Sequence, residues 1–225
     1  PDLAFAIHIE PGRPFGYVST RPGLINCASL GLKITLNGKT AHAADPSDGI
    51  SPSLAVAEFI QKISKFNHGD ELNNNFKLTT ITHVQIGEQS FGISPGDASI
   101  FVTLRTSNDD SLSQLDKDVR ELVSNISTKF ELTFDFEIFD HFAASINDKE
   151  AHDIAVDAMK ALNINYGSIG VPMRASEDFG IFGMQSRAAM LCLGPGEDYA
   201  ALHNPDYDFN DDLIPIGTGI FERIT

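Results

Sequence analysis

The chain has 225 residues, enough for one large core or two modest ones, and its 42% hydrophobic and 21% charged content is that of an ordinary globular protein. A formal charge of −15 argues against a nucleic-acid or anionic-membrane partner, because both require a basic face. No apolar run is long enough to span a bilayer. Cys27 and Cys192 form no CxxC pair and read as two buried free thiols, with a bridge between them as the alternative.

The first residues, Pro1 to His8, carry no initiating methionine, no signal peptide and no capped helix. Leu3 to Ile9 is an apolar run with the look of an interior strand, stopped by Glu10-Pro11-Gly12. A buried strand is an odd place to begin, so the expectation is that a natural N-terminal part precedes it. Gly16 to Thr20 reads as a second short strand with a turn at Pro22-Gly23.

Ala28 to Leu36 alternates as a strand and ends on the turn dipeptide Asn37-Gly38. After a loop over residues 45–49, Ser51-Pro52-Ser53 opens a helix to about Phe66, with Leu54, Ala55, Ala57, Ile60 and Ile63 on one face. Asn67 to Asn75 is polar and reads as a surface loop. Phe76 to Ile86 is a strand rich in Thr, Val and Ile, interrupted over residues 87–96 and resumed at Asp97 to Arg105. Asp109 to Ser127 is an amphipathic helix with Leu112, Leu115, Val119, Leu122 and Ile126 on its apolar face, and Phe130 to Phe139 alternates as a strand.

The order β-α-β-β-α-β over residues 28–139 is the split βαβ, ferredoxin-like sandwich. Beyond it come a helix from Lys149 to Leu162, short strands near Ser168 and over Ala188 to Leu193, and a loop-rich tail. Strands on both sides of a self-contained layer predict an α/β protein in which one domain, 1–27 with 140–225, is interrupted by another, 28–139. There is no internal repeat and no low-complexity tract.

Three of the seven histidines stand out. His8 ends a strand, where open α/β sheets hold ligands and metals. His203 lies in the polar loop Ala201-Leu202-His203-Asn204-Pro205-Asp206, and His42 lies in Gly38-Lys39-Thr40-Ala41-His42-Ala43-Ala44-Asp45-Pro46. Imidazole is a frequent zinc ligand, but there is no HExxH, and a lone His at a strand end is more often structural. His68, His83, His141 and His152 keep that default. Glu177 and Asp178 are candidate substrate contacts, or simply cap a helix together with Ser176.

Taken in order, Ile7-His8-Ile9-Glu10-Pro11, the His42 segment, Ala175-Ser176-Glu177-Asp178-Phe179 and Leu202-His203-Asn204-Pro205 form one set. That set resembles the metallopeptidase family of aminoacylases, N-acyl-amino-acid amidohydrolases, hippurate hydrolases and glutamate carboxypeptidases. The likeness is to its amidohydrolase branch, which includes auxin-conjugate hydrolases, and it covers nearly the whole chain. It implies a zinc-peptidase-like catalytic domain interrupted by a lid that also makes a homodimer contact. It further implies two divalent metal ions, expected to be zinc, acting on the amide bond of a small N-acyl amino acid or peptide. By the same resemblance His8 and His203 are metal ligands. His42 reaches from the lid, often from the partner subunit, to stabilise the oxyanion. Arg105 matches the lid arginine that grips the substrate carboxylate, a task suited to its fork of donors.

The sequence also departs from the family. Gly92, in Phe91-Gly92-Ile93-Ser94-Pro95, stands where many relatives carry an Asn that helps bind substrate. Ala175 stands where a Gly is usual, and Met173-Arg174 beside it is unfamiliar, Arg174 reading as a surface residue. The family's Gly-Met-His-Ala-Cys-Gly-His-Asp segment and its Glu-Glu pair, which supply further ligands and the general base, do not occur among these residues. Both would precede Pro1. The chain alone is therefore expected to be inactive, with a truncated or split homologue that only pairs chains as the alternative. A cytoplasmic location is only the default.

Overall fold

The structure is a computed structural model that describes residues 1–69 and 72–225; residues 70 and 71, within the expected polar loop, lie outside the described residues. The first half runs β1 (Leu3–Ile9), β2 (Val18–Ser19), β3 (Gly23–Asn26), β4 (Ala28–Asn37), β5 (Ala41–His42), α1 (Ser53–Ile63) and β6 (Lys77–Ile86). It continues through β7 (Ile93–Ser94), β8 (Asp97–Thr106), α2 (Asp109–Lys129), β9 (Thr133–Phe142) and β10 (Ser145–Asn147). The last part holds α3 (Lys149–Ala161), β11 (Tyr166–Gly167), β12 (Arg187–Leu193) and α4 (Ile214–Ile224). Contacts divide the chain into two units, residues 1–27 with 143–225, and residues 28–142.

The second unit is built on a four-stranded antiparallel sheet in the order β6-β8-β4-β9. Alternation decides which face is covered. Leu30, Leu32, Ile34 and Leu36 of β4 and Ala98, Ile100, Val102 and Leu104 of β8 are buried on one side. Helices α1 and α2 pack against these strands. Full burial of a Leu or Ile here contributes about 1.5–3 kcal/mol. The intervening residues of β8, Ser99, Phe101, Thr103 and Arg105, are half-exposed.

The two helices differ from their sequence patterns in instructive ways. On α2, Asn108 caps the N-terminus by accepting from the Ser111 amide at 2.8 Å, and Leu112, Leu115, Val119, Val123 and Ile126 are buried. On α1 the buried face is Ala55, Val56, Phe59 and Ile63, so the expected stripe through Leu54, Ala57 and Ile60 is corrected: those three are exposed. Both stripes fit a helical period, and the large Phe59 takes the inner position where the sheet is. The helix stops at Ile63, and Ser64–Phe66 is a separate 3-10 turn.

The first unit carries a sheet in the order β1-β12-β2-β11, with β1 parallel to β12, and a separate antiparallel pair of β3 and β10. β12 is buried on both faces. Leu191 and Leu193 pack with Val18, Met159, Leu213 and Ile220, while Met190 and Cys192 pack with Ile25 and Val171. Among the described residues β1 pairs with β12, and all seven of its residues are half-buried. The tail expected to be loop-rich contains α4, an amphipathic helix despite Gly217 and Gly219, because Ile220 docks into the core beside α3.

Both cysteines are buried thiols. Burial pushes the Cys192 thiol up to about 12, so at pH 8 only about one thiol in ten thousand is the reactive thiolate. The native protein is expected to resist a disulfide labelling reagent at pH 8 and to label fully in denaturant. Fast labelling of Cys192 under native conditions would contradict the packing around β12. No helix among the described residues is long and apolar enough to cross a membrane.

Candidate functional site

His8 is the next-to-last residue of β1, opposite Cys192 in the parallel ladder. The strand ends where Glu10 donates its amide to Leu193 O (2.9 Å) and the Pro11-Gly12 turn follows, Gly12 having a φ of 80°. The parallel pairing with β12 therefore delivers the His8 ring to the carboxyl end of the sheet. Its Nε2 lies 3.5 Å from Glu177 Oε1, and its Nδ1 lies 3.7 Å from Glu10 Oε2. At 3.7 Å no hydrogen bond forms, and Nδ1 is a buried ring nitrogen without a hydrogen-bond partner.

Glu177 is half-buried and precedes the 3-10 helix Asp178–Met184. It occupies the N-cap position, but its side chain makes no capping bond, so the capping reading of Glu177 does not hold. Its carboxylate is turned towards His8 instead. Asp178 and Arg174 are exposed. The segment leading to Glu177 is anchored by Met173, whose amide donates to Ile25 O (2.7 Å), and by the Cys27 amide, which donates to Ala175 O (3.0 Å).

His203 is exposed in a turn and adopts a φ of 67°, the left-handed region that a non-glycine residue enters only when the turn demands it. The turn is closed by Asn204 N donating to Ala201 O (3.2 Å) and Tyr207 N donating to Asn204 O (3.0 Å). Among the described residues, no three His, Cys, Asp or Glu side chains gather closely enough to hold a metal ion. His8 and Glu177 are nonetheless donors of the kind zinc accepts, imidazole nitrogen beside carboxylate. The chain thus offers a fitting but partial ligand set.

In the second unit, β5 pairs antiparallel with β7, setting His42 opposite Ile93. Ala43 N donates to Gly92 O (3.0 Å), which brings the Phe91–Pro95 segment against the His42 strand. His42 is exposed, and its Nδ1 accepts from the Ala44 amide at 3.1 Å. With Nδ1 occupied as an acceptor, the neutral ring carries its proton on Nε2 and presents an N–H donor to solvent. A Cβ at Gly92 would meet no atom within 4 Å, so the place where an amide side chain is absent is open. Arg105 lies on the half-exposed face of β8, between Ser29 of β4 and Leu78 of β6. The proximity of His42 and Gly92 was invisible to pattern reading, because two-residue strands carry no period.

The family model for peptidase family M20/M25/M40 matches residues 1–225. Similar proteins include the N-acetyldiaminopimelate deacetylase of Exiguobacterium sibiricum, 26% identical over 223 residues and covering 99% of this chain and 60% of that protein. The IAA-amino acid hydrolase ILR1-like 2 of Arabidopsis thaliana is 23% identical over 227 residues, covering 97% of this chain and 51% of that protein. Among solved structures, a dinuclear metal-binding peptidase from Bacillus subtilis superposes with a TM-score of 0.79 at 18% identity, covering 99% of this chain and 56% of that one. An aminobenzoyl-glutamate utilization protein from Klebsiella pneumoniae gives 0.77 at 16% identity, covering 99% and 54%. The chain spans little more than half the length of the relatives it matches.

Proposed function

The chain belongs to peptidase family M20/M25/M40, and from that premise we propose that the full protein is a metal-dependent amidohydrolase cleaving the amide bond of an N-acyl amino acid or short peptide. The observation that carries this reading is His8, held at the carboxyl end of β1 with the Glu177 carboxylate 3.5 Å from its Nε2. When bound, a pair of divalent ions, zinc by the donor chemistry, supplies Lewis acidity and a water activated for attack on the acyl carbon. His8 and His203 would each contribute a ligand to these ions.

The remaining residues act on the substrate. His42 directs its Nε2–H at the oxygen that becomes negative in the tetrahedral intermediate, where a preorganised donor is most effective. Arg105 pairs with the free carboxylate next to the scissile amide, fixing orientation by two parallel bonds. Glu177 and Asp178 contribute further substrate contacts near His8. The second unit serves as lid and as the contact of a homodimer. Gly92 offers no side-chain amide, which favours substrates that do not need one.

The test is hydrolysis by the zinc-loaded full-length protein of a panel of N-acetyl and N-arylacetyl amino acids, read as release of free amine. Turnover confined to substrates with a free carboxylate, and lost with the amidated counterparts, is the expected result. No amine release from any of them by protein with two bound ions overturns the proposal.

A further inference from the structure

Arg13 has only 4% of its surface exposed, and a guanidinium that deep needs partners for its charge and its five donors. Its Nε donates to Ser19 Oγ (2.9 Å) and Ile169 O (3.3 Å). Nη2 donates to Gly170 O (3.1 Å) and touches Met173 Sδ at 3.2 Å. Nη1 lies 3.4 Å from Glu10 Oε1. Among these partners the carboxylate is Glu10, whose other oxygen faces the buried, unpartnered Nδ1 of His8 at 3.7 Å. Glycine makes the berth: a Cβ at Gly194 would stand 2.8 Å from Arg13 Cβ, and one at Gly170, where φ is 69°, would stand 2.8 Å from Arg13 Nη2.

From this arrangement we infer that Arg13 is a positioning residue for His8: it holds Glu10 within ion-pair range of the far nitrogen of the imidazole and bonds the 169–173 segment. The inference rests on the reading of His8 as a metal ligand. A metal-binding imidazole depends on the carboxylate at its other nitrogen for ring orientation and tautomer, and removing such a partner typically weakens metal binding about 10–100-fold. Glu10 is half-buried and has freedom to turn towards water. The buried Arg13 removes that freedom by holding one carboxylate oxygen, which leaves the other for His8. The same guanidinium also bonds Ile169 and Gly170, so it is itself held in place while it holds Glu10.

The test uses the full-length protein with Arg13→Met, Glu10→Gln and the double variant, and measures zinc affinity by competition with a chromophoric chelator. Each single change is expected to weaken zinc binding about 10–100-fold, and the double variant no further than the worse single one, since both act through one contact. A purely structural Arg13 predicts a lower melting temperature for Arg13→Met with wild-type zinc affinity, and no effect at all of Glu10→Gln. Unchanged affinity in Glu10→Gln, or losses that multiply in the double variant, overturns the inference even where Arg13→Met does not fold. If His8→Ala binds zinc like the wild type, the ligand reading fails and the inference falls with it.

Discussion

Replacing His42 by Ala in the full-length protein is expected to lower kcat/KM by about 10²–10³-fold, the usual cost of one oxyanion donor, while bound zinc stays at the wild-type ratio. Three features of the structure lead to this expectation. The Ala44 amide occupies Nδ1, which in the neutral ring leaves the proton on Nε2 as a donor. The β5–β7 pairing opposite Ile93, together with the Ala43-to-Gly92 bond, restrains the backbone that carries the ring. The ring is exposed, so its removal empties no core and the fold should be unaffected. Metal content and steady-state kinetics on the same preparation check it. A fall in bound zinc would make His42 a ligand instead, and a loss below tenfold would deny it the oxyanion.

The layer around β4 was legible because its physics is local. Leu30, Leu32, Ile34 and Leu36 alternate strictly, the strand stops at Asn37-Gly38, and the helices on either side of β6 and β8 carry apolar stripes. Errors arose where a period fitted two answers or where tertiary contact overrode propensity. The α1 stripe through Leu54 and Ile60 is as periodic as the true one through Val56 and Phe59, and only the position of the sheet decides between them. In α4, Gly217 and Gly219 argue against a helix, yet Ile220 gains a fully buried place. The site was legible only as a set of histidines in order. That Glu177 turns to His8, that Phe91–Pro95 lies along the His42 strand, and that Arg13 is buried beneath Glu10 are facts of long-range packing. A buried arginine three residues after an acid leaves one faint trace in sequence, the i,i+3 spacing of opposite charges, which in a turn after a strand has no fixed meaning.

His8→Ala is expected to lower the bound metal from two ions towards one or none and to abolish turnover, with the unfolding transition little changed. The ring is about 29% exposed, and the β1–β12 ladder is held by main-chain bonds that alanine keeps. The counterpart at the other ligand needs a different substitution. His203 sits at φ 67°, which histidine and asparagine enter more readily than alanine, so His203→Ala would mix a lost ligand with a loosened turn. Asparagine tolerates that conformation and is a poor zinc ligand, which makes His203→Asn the cleaner change. Metal content by emission spectrometry, turnover on an N-acyl amino acid and thermal unfolding of both variants distinguish the outcomes. Near-normal turnover or full metal occupancy in either would remove that histidine from the ligand set. Loss of metal in both, with the fold retained, would show that this half of the family's architecture contributes to the metal centre from two separate places, the end of a parallel strand and a left-handed turn.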